Sequence, residues 1–399
     1  MPTLGIIGAG PIGLECGLYA SQSGWDVEIF ERDRVGAHVR DWGHVELFSP
    51  WRLNRSPWSE EALRDTGLTL GHPDECPTGR EFVQRHLEPL AQLDQLAGSV
   101  RTGTEVVEVA RQHALKDEYI GAEGRSGGPF LLHLKGDAGE TYARADAVVD
   151  ATGVYHEPNG LGPGGLKAVG ETSHRDRIAY DIPDIGGDDR TKYCTDTTLV
   201  VGSGYSAVTS LRQLAELRRQ EGQPEIIWLR RHPGAPYEII DDDPLDQRRD
   251  LSEWGNAAAR GEIDGIVPAV GIVESIHSES TDGPLEIGLD QSEHPSLQVD
   301  RIIANVGYRP DNSLHRELQV HQCYATEGPI DLAATLLGGD STDCLEQEAA
   351  GADALANPEP NFFLLGAKSY GRNSSFLLKN GFQQIRDVVD GLLPEFDAA

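Results

Sequence analysis

The chain begins with an apolar run that leads directly into a turn rich in glycine. Leu4 to Ile7 has the composition of a buried strand, the stretch up to Ser23 that of a helix, and Val27 to Glu31 that of a second strand. The turn that joins the first strand to the helix reads Gly8-Ala9-Gly10-Pro11-Ile12-Gly13. This order of elements predicts a βαβ unit of the dinucleotide-binding type.

A second unit with the same order of elements lies near the middle of the chain. The segment from Thr198 to Arg231 contains an apolar strand, the turn Gly202-Ser203-Gly204-Tyr205-Ser206-Ala207, a helix, and a strand from Glu225 to Leu229. Ala207 stands where a third glycine is usual, which should widen the contact between helix and strand slightly. We therefore expect the chain to bind two dinucleotides.

Other apolar runs complete a repeated pattern around these two units. Ala147 to Gly153 and Arg301 to Gly307 are each a strand that ends in small residues, downstream of its own glycine turn. Three β segments, a last strand and a last helix are predicted at residues 105–109, 130–134, 271–276, 361–366 and 373–389. The whole set predicts an α/β fold with two Rossmann-like dinucleotide-binding domains.

The residue types in the first unit suit an adenine dinucleotide, and the layout of two such units is that of a flavoprotein, which makes FAD the expected ligand of the first. Gly8 allows the tight turn, Gly10 lets the backbone approach a diphosphate, and Gly13 lets the helix pack closely on the strand. The diphosphate would lie at the positive N-terminus of the helix. Glu31 ends the second strand, where its carboxylate can accept hydrogen bonds from both ribose hydroxyls.

The second unit differs at the position that corresponds to Glu31. There it carries Arg230 and Arg231. A guanidinium pairs with a ribose 2′-phosphate, which a carboxylate would repel. This favours NADPH over NADH. We therefore predict a discontinuous FAD-binding domain of residues 1–160 and 305–399, with an NADPH-binding domain of residues 161–304 inserted into it.

The predicted cofactor contacts include neighbouring positions in both units, and no metal site is predicted. The contacts are Gly8, Gly10, Pro11, Ile12, Gly13, Glu31, Arg32, Val106, Thr152, Gly153, Gly202, Gly204, Tyr205, Ser206, Ala207, Arg230, Arg231 and Gly366.

Charge and hydropathy restrict the partners further. The chain has 34 basic and 65 acidic residues, a formal charge of −31, which argues against a nucleic acid or an anionic membrane as partner. No run reaches the roughly 18 apolar residues that span a bilayer. The first strand begins by Leu4, which leaves no room for a signal peptide, so we expect a cytoplasmic protein.

The cysteines exclude several kinds of chemistry. The five of them are far apart, with no C-x-x-C pair and no histidine at metal-ligand spacing, at Cys16, Cys76, Cys194, Cys323 and Cys344. This spacing supports neither a disulfide framework nor a zinc site nor a redox dithiol.

The two glycine turns and Ala151-Thr152-Gly153 resemble those of the flavin-containing monooxygenases, within the larger group of thioredoxin-reductase-like flavoproteins. The stretch from Gly170 to His174 supplies the Gly-x-x-x-His core of the family fingerprint, whereas Ala168 and Ile178 stand where the family has aromatic residues. Gly366-Ala367 also departs from the Gly-Asp with which many reductases of the group hold the flavin ribityl chain.

A second part of the resemblance lies between Glu46 and Trp58. At a similar distance from the ribose acid, the family has an asparagine beside the reactive edge of the flavin, and Asn54 matches it. The resemblance implies a catalytic role for Asn54, with Trp51 and Trp58 excluding water. The equal alternative is that Asn54 caps a turn and both tryptophans belong to the core.

The resemblance implies a monooxygenase in which NADPH reduces FAD and a flavin peroxide oxygenates a small organic substrate at nitrogen, sulfur or a ketone. The partners would be that substrate and dioxygen, and a homodimer is left open. Two alternatives stay open. One is an NADPH-dependent flavin reductase or dehydrogenase that passes electrons to a non-oxygen acceptor without a dithiol. The other is a nucleotide sensor without turnover.

Overall fold

A computed structural model describes residues 1–194, 197–280, 283–290, 296–338 and 351–397. The strands are β1 (Thr3–Ile7), β2 (Asp26–Phe30), β3 (Val100–Arg101), β4 (Thr104–Arg111), β5 (Phe130–Gly136), β6 (Gly139–Ala145), β7 (Ala147–Asp150), β8 (Ile178–Ala179), β9 (Thr197–Val201), β10 (Glu225–Arg230), β11 (Ile266–Val270), β12 (Ile272–His277), β13 (Leu285–Asp290), β14 (Ser296–Val299), β15 (Arg301–Ala304) and β16 (Phe362–Leu364).

The α-helices vary from one turn to twenty residues in length. They are α1 (Pro11–Gln22), α2 (Ala37–Asp41), α3 (Trp51–Asn54), α4 (Pro57–Asp65), α5 (Gly79–Phe82), α6 (Glu88–Ala91), α7 (Arg190–Tyr193), α8 (Tyr205–Glu221), α9 (Asp246–Ala259), α10 (Ile330–Gly338), α11 (Gly351–Leu355) and α12 (Leu378–Asp397).

The chain forms two units. It passes from the first unit to the second after Glu157 and returns to the first after Tyr308. The boundaries expected from the sequence follow residues 160 and 304. One short piece is placed differently: His44–Ser49 belongs to the second unit. There the Phe48 ring lies 5.7 Å from the ring of Tyr205, which explains why this hexapeptide leaves the first unit.

The first unit is built on a five-stranded sheet in the order β16-β7-β1-β2-β3, and all of its neighbouring strands are parallel. The central strands β1 and β7 are apolar because both faces of the sheet are covered. Helices α1 and α12 pack together beside it. The unit also contains a separate antiparallel sheet with the order β4-β5-β6.

The second unit repeats this architecture. Its five-stranded parallel sheet has the order β11-β10-β9-β15-β8, and its three-stranded antiparallel sheet has the order β12-β13-β14. The predicted α/β class with two Rossmann-like domains is therefore confirmed.

The last helix differs from its prediction at both ends. It begins at Leu378 rather than at Asn373 and continues to Asp397. Asn373 is outside the helix because its side-chain oxygen accepts hydrogen bonds from the backbone N–H of Ser375 at 2.9 Å and from the Ser375 hydroxyl at 2.7 Å. Such a local turn competes with helical hydrogen bonding.

Candidate functional site

The glycines of the first turn have three different surroundings. Gly8 has φ +102°, which favours glycine, and a Cβ added to it would lie 2.9 Å from the carbonyl oxygen of Ala151. A Cβ on Gly13 would lie 1.9 Å from the carbonyl oxygen of Gly8. A Cβ on Gly10 would meet no heavy atom within 4 Å. The fold therefore requires Gly8 and Gly13, whereas Gly10 faces open space.

Helix α1 begins at this open face without a side-chain cap. Gly10 is the N-cap residue and Pro11 the first helical residue, and Ile12 is buried behind them. The uncapped N–H groups of the first turn and the helix dipole favour an anion at this position. Gly10, Pro11 and the helix N-terminus thus fit the diphosphate of a dinucleotide.

Glu31 is held beside the same turn. One of its carboxylate oxygens accepts a hydrogen bond from the Ala9 N–H at 2.8 Å, and the other accepts one from the Asp33 N–H at 2.9 Å. These bonds fix the carboxylate at the end of β2, and each oxygen keeps a second lone pair for a ribose hydroxyl. Arg32 is exposed next to it, with its guanidinium 3.4 Å from the His38 ring.

A buried charged cluster supports the end of β7. The Lys368 ammonium donates to Asp150 at 2.6 Å and to the Thr152 hydroxyl at 3.0 Å, and His315 lies 3.7 Å from Asp150. Burial alone would raise the pKa of Asp150, but Lys368 and His315 outweigh it and lower that pKa. The sequence motif around Thr152 and Gly153 marks both as candidate cofactor contacts, whereas no motif marks Lys368.

Gly366 and Val106 lie in different surroundings. Gly366 has φ +73°, and a Cβ on it would come within 3.0 Å of the Ile12 side chain. The structure thus brings two predicted cofactor residues together at α1. Val106 on β4 is buried in an apolar cluster with Ile7 and Phe30.

The second glycine turn repeats the geometry of the first. Gly202 has φ +127°, and a Cβ on it would lie 2.1 Å from the carbonyl oxygen of Asn305. A Cβ on Gly204 would meet no heavy atom within 4 Å, and Gly204 begins α8 without a side-chain cap. Ser206 is exposed and Ala207 is fully buried. This turn also fits a dinucleotide diphosphate.

Aromatic residues flank the second turn. The Tyr205 ring stacks on the Tyr237 ring, with centroids 5.2 Å apart and planes at 26°. The Tyr237 hydroxyl donates to the carbonyl oxygen of Gly204 at 2.9 Å, and the Tyr205 hydroxyl lies 3.0 Å from that of Ser252. Tyr237 therefore stabilises the turn that Gly204 forms, a role that sequence analysis missed.

The last residue of β10, Arg230, and the next residue, Arg231, differ in their contacts. Arg230 is 4% exposed and its guanidinium donates to the carbonyl oxygens of Gly234 and Ala259. It also lies over the Trp228 ring, 4.8 Å from the ring centroid. Arg231 is exposed. Of the two, Arg231 has the surroundings that suit a ligand in solution, whereas Arg230 holds backbone in place.

Trp51 and Asn54 form the one-turn helix α3, and both are buried, with 1% and 2% of their surface exposed. The Arg55 guanidinium lies 3.6 Å from the Trp51 ring centroid, and the Phe82 ring lies 5.9 Å away. Burial lowers the pKa of Arg55 to about 10. The Trp51 side chain is thus packed between Arg55 and Phe82, and Asn54 lies in the same one-turn helix.

A buried polar network fixes this segment to α1. The Glu15 carboxylate accepts hydrogen bonds from the Ser56 hydroxyl at 2.6 Å and the Ser59 hydroxyl at 2.8 Å, and His86 lies 3.1 Å from it. All four side chains have no exposed surface. Ser56 also caps α4, so Glu15 ties the start of α4, two residues after Asn54, to α1.

The Gly170 to His174 stretch forms a local turn in the second unit. The His174 ring lies 2.9 Å from the carbonyl oxygen of Gly170, and a Cβ on Gly170 would lie 2.1 Å from the carbonyl oxygen of Ile276. Glu171 is 1% exposed and accepts from the N–H groups of Ala168 at 2.6 Å and Leu161 at 3.1 Å. These contacts give the stretch a structural role.

The cysteines in the described part of the chain, Cys16, Cys76, Cys194 and Cys323, are all free thiols, and Cys344 lies outside the described residues. Burial raises the pKa of Cys16, on α1, to about 12. Within the described ranges, no group of three His, Cys, Asp or Glu side chains could hold a metal ion. No helix among the same residues is long and apolar enough to cross a membrane.

Comparison with known proteins finds relatives by structure. No protein-family model and no curated protein sequence matches the chain. Solved structures do match it over nearly its whole length. A bacillithiol disulfide reductase from Bacillus cereus has a TM-score of 0.68 and 18% identity, with 99% of each chain covered.

Two other structures have similar scores. A thioredoxin reductase from T. acidophilum has a TM-score of 0.61 and 15% identity, over 98% of this chain and 100% of that one. The ornithine N-hydroxylase of Kutzneria sp. 744, solved with reduced FAD, NADP⁺ and L-ornithine, has a TM-score of 0.64 and 17% identity, over 99% of both chains. At these identities the likeness shows the fold, which is that of the thioredoxin-reductase-like flavoproteins with two dinucleotide-binding domains.

The different surroundings of Gly10 and Gly13 give opposite predictions for the same substitution. Gly13→Ala would force a methyl group against the Gly8 carbonyl, so we expect it to lower the free energy of unfolding by about 3 kcal/mol. Gly10→Ala should change it by less than about 1 kcal/mol, because the added methyl group meets open space. Urea unfolding of both variants tests this, and equal losses of stability would contradict the role assigned to Gly13.

Proposed function

We propose that this protein is an FAD-dependent oxidoreductase that uses NADPH. The observation that carries the proposal is the presence in one chain of two uncapped glycine turns, at Gly10 and Gly204, each open to a dinucleotide. The fold shared with the ornithine N-hydroxylase structure, which holds reduced FAD and NADP⁺, supports it. If the two turns served only to pack helix against strand, glycine would not be needed at Gly10 and Gly204, because a side chain at either position would meet open space.

The first unit would hold FAD. Gly10 and the N-terminus of α1 would bind the diphosphate, and the oriented carboxylate of Glu31 would accept hydrogen bonds from the adenosine ribose. When bound, a flavin takes up hydride from a reduced nicotinamide and allows dioxygen to serve as an oxidant. The contribution of the chain is to bind, to orient and to exclude water.

The second unit would hold NADPH. Gly204 and the N-terminus of α8 would bind its diphosphate, and Arg231 would pair with the 2′-phosphate. Arg230 would act indirectly, since its bonds to Gly234 and Ala259 shape the loop that carries Arg231.

Within this class we propose a monooxygenase. Asn54 is a buried amide in the same one-turn helix as Trp51, two residues before Ser56, which donates to Glu15. A neutral donor that does not titrate can stabilise an oxygen species in a dry site. The alternative is a reductase, which the likeness to a bacillithiol disulfide reductase favours. The four described cysteines offer no dithiol for such a reaction.

The exposed position of Arg231 leads us to expect a preference for NADPH over NADH. Charge-assisted hydrogen bonds to a phosphate contribute roughly 1.5 to 3 kcal/mol, so Arg231→Gln should raise the Michaelis constant for NADPH by about ten- to a hundredfold and change that for NADH little. Arg249→Gln is the control, because Arg249 is an exposed arginine of the same unit that pairs with Glu253. Equal use of both nicotinamides by the wild type would contradict the assignment.

The effect of replacing Asn54 distinguishes a monooxygenase from a reductase. Asn54→Ala should leave FAD binding and anaerobic reduction by NADPH nearly intact, yet divert oxygen from product into hydrogen peroxide. Loss of one preorganised donor in a dry site costs about 2.7 to 4 kcal/mol, which is enough to uncouple the reaction. The measurement is hydrogen peroxide released per NADPH oxidised, with Gln112→Ala as the control, because Gln112 is a half-buried amide of the same unit that pairs with Arg144.

The same assay on the wild-type protein also distinguishes the monooxygenase from the reductase. Oxygen uptake that a nitrogen, sulfur or ketone substrate stimulates, with oxygenated product, supports the monooxygenase. Full turnover without oxygen, in the presence of an electron acceptor, together with no effect of Asn54→Ala on peroxide release, would replace it with the reductase.

A further inference from the structure

Two histidines lie on the segments that flank the first glycine turn. The Gly36 N–H donates to the carbonyl oxygen of Ala9 at 3.0 Å, which ties the start of α2 to the turn, and His38 follows two residues later. On the other side, a Cβ on Gly8 would lie 3.3 Å from the Cα of Thr152, and the chain continues from there to His156. The rings of His38 and His156 face each other, with centroids 6.0 Å apart and planes at 17°.

Two cations and two carboxylates surround this pair. The Arg32 guanidinium lies 3.4 Å from Nε2 of His38, and the charge of Lys368, in the turn that follows β16, acts on His156. The carboxylates are Asp41, 3.4 Å from Nδ1 of His38, and Asp311, 3.9 Å from Nε2 of His156. The edge of the Tyr155 ring also faces His38.

These surroundings keep His156 neutral in the protein without cofactor. Its side chain is 15% exposed. Burial, then the charges of Arg32, Lys368 and His38, lower the pKa of His156 to about 4, while Asp311 opposes them. A histidine that neighbouring cations hold neutral becomes easier to protonate when an anion enters beside it.

We propose that His38 and His156, together with Arg32, form the cationic side of the FAD diphosphate site, and that FAD binds with uptake of a proton by this pair. The inference rests on the proposed FAD-binding function of the first unit. The glycine turn and the N-terminus of α1 supply only backbone dipoles to the diphosphate. In a chain of net charge −31, side-chain cations are needed to offset the unfavourable field.

The sign of the pH dependence follows from linkage. A group whose pKa is higher in the complex than in the free protein makes binding tighter as the pH falls through the interval between the two values. The lower limit of that interval is the value of about 4 for His156. With one proton taken up, the dissociation constant of FAD should fall by about tenfold for each pH unit within the interval.

Calorimetric titration of the apoprotein with FAD and with ADP-ribose, between pH 5.5 and 8, tests the proposal. ADP-ribose carries the same diphosphate and has no group that titrates in this range. We expect both ligands to bind about ten- to a hundredfold more tightly at pH 5.5 than at pH 8. Buffers with different ionisation enthalpies should report about one proton taken up per ligand near pH 6.

His156→Gln and His38→Gln should each weaken binding at pH 5.5 and flatten the pH dependence. His133→Gln is the control, because His133 lies on β5 in the same unit and its ring faces Glu140 at 3.5 Å. It should keep the wild-type slope. The proton count of the wild type tests the proposal even where a variant does not fold.

Two outcomes separate this inference from the proposed function. A wild type that binds FAD equally well across the range, without proton uptake, overturns the inference and leaves the FAD-binding function standing. An unchanged slope in both His156→Gln and His38→Gln also overturns it. A folded wild type that binds neither FAD nor ADP-ribose at any pH contradicts the proposed function and the inference with it.

Discussion

The carbonyl oxygen of Gly8 lies so close to Gly13 that a side chain on Gly13 would begin 1.9 Å from it. This contact sets the position of α1 against the end of β1, and the neighbouring contact of Gly8 with Ala151 joins β7 to the same point. Both contacts are steric and depend on the absence of side chains. They leave the first turn of α1 with unpaired N–H groups and an open face, on which the candidate cofactor site depends.

The second unit reaches a similar arrangement through different residues. Gly202 packs against the Asn305 carbonyl, and Ala207 takes the buried helical position that Gly13 has in the first unit. The carbonyl oxygen of Gly202 is bound by the indole N–H of Trp228 at 2.7 Å instead of facing a glycine. The same architecture thus tolerates a larger residue in the helix when the contacts of the turn change with it.

The repeated pattern of strands, glycine turns and helices was predictable because each signal is local. An apolar run, a turn that needs glycine and an amphipathic helix are all visible within about thirty residues. This is why the positions of Gly8, Gly13, Gly202 and the two central βαβ units follow from the sequence.

The contacts that could not be predicted join residues far apart in the sequence. Lys368 reaches Asp150 across 218 positions, and the buried carboxylate of Glu359 binds Arg125 across 234. The exposure of neighbouring residues could not be predicted either. β10 ends at Arg230, and only the structure shows that Arg230 turns inward to Gly234 while Arg231, the next residue, stays exposed. A lone lysine or arginine in a sequence carries no sign of its partner.

The proposed function requires that the first unit binds a flavin and that the nicotinamide of the second unit reduces it. An absorbance spectrum of the purified protein, reconstituted with FAD and then titrated anaerobically with NADPH, tests this requirement. We expect a yellow protein with about one FAD per chain, bleached by about one equivalent of NADPH, and a folded but colourless Gly10→Val variant. A stable wild type that stays colourless after incubation with FAD, or a bound flavin that NADPH does not reduce, would contradict it.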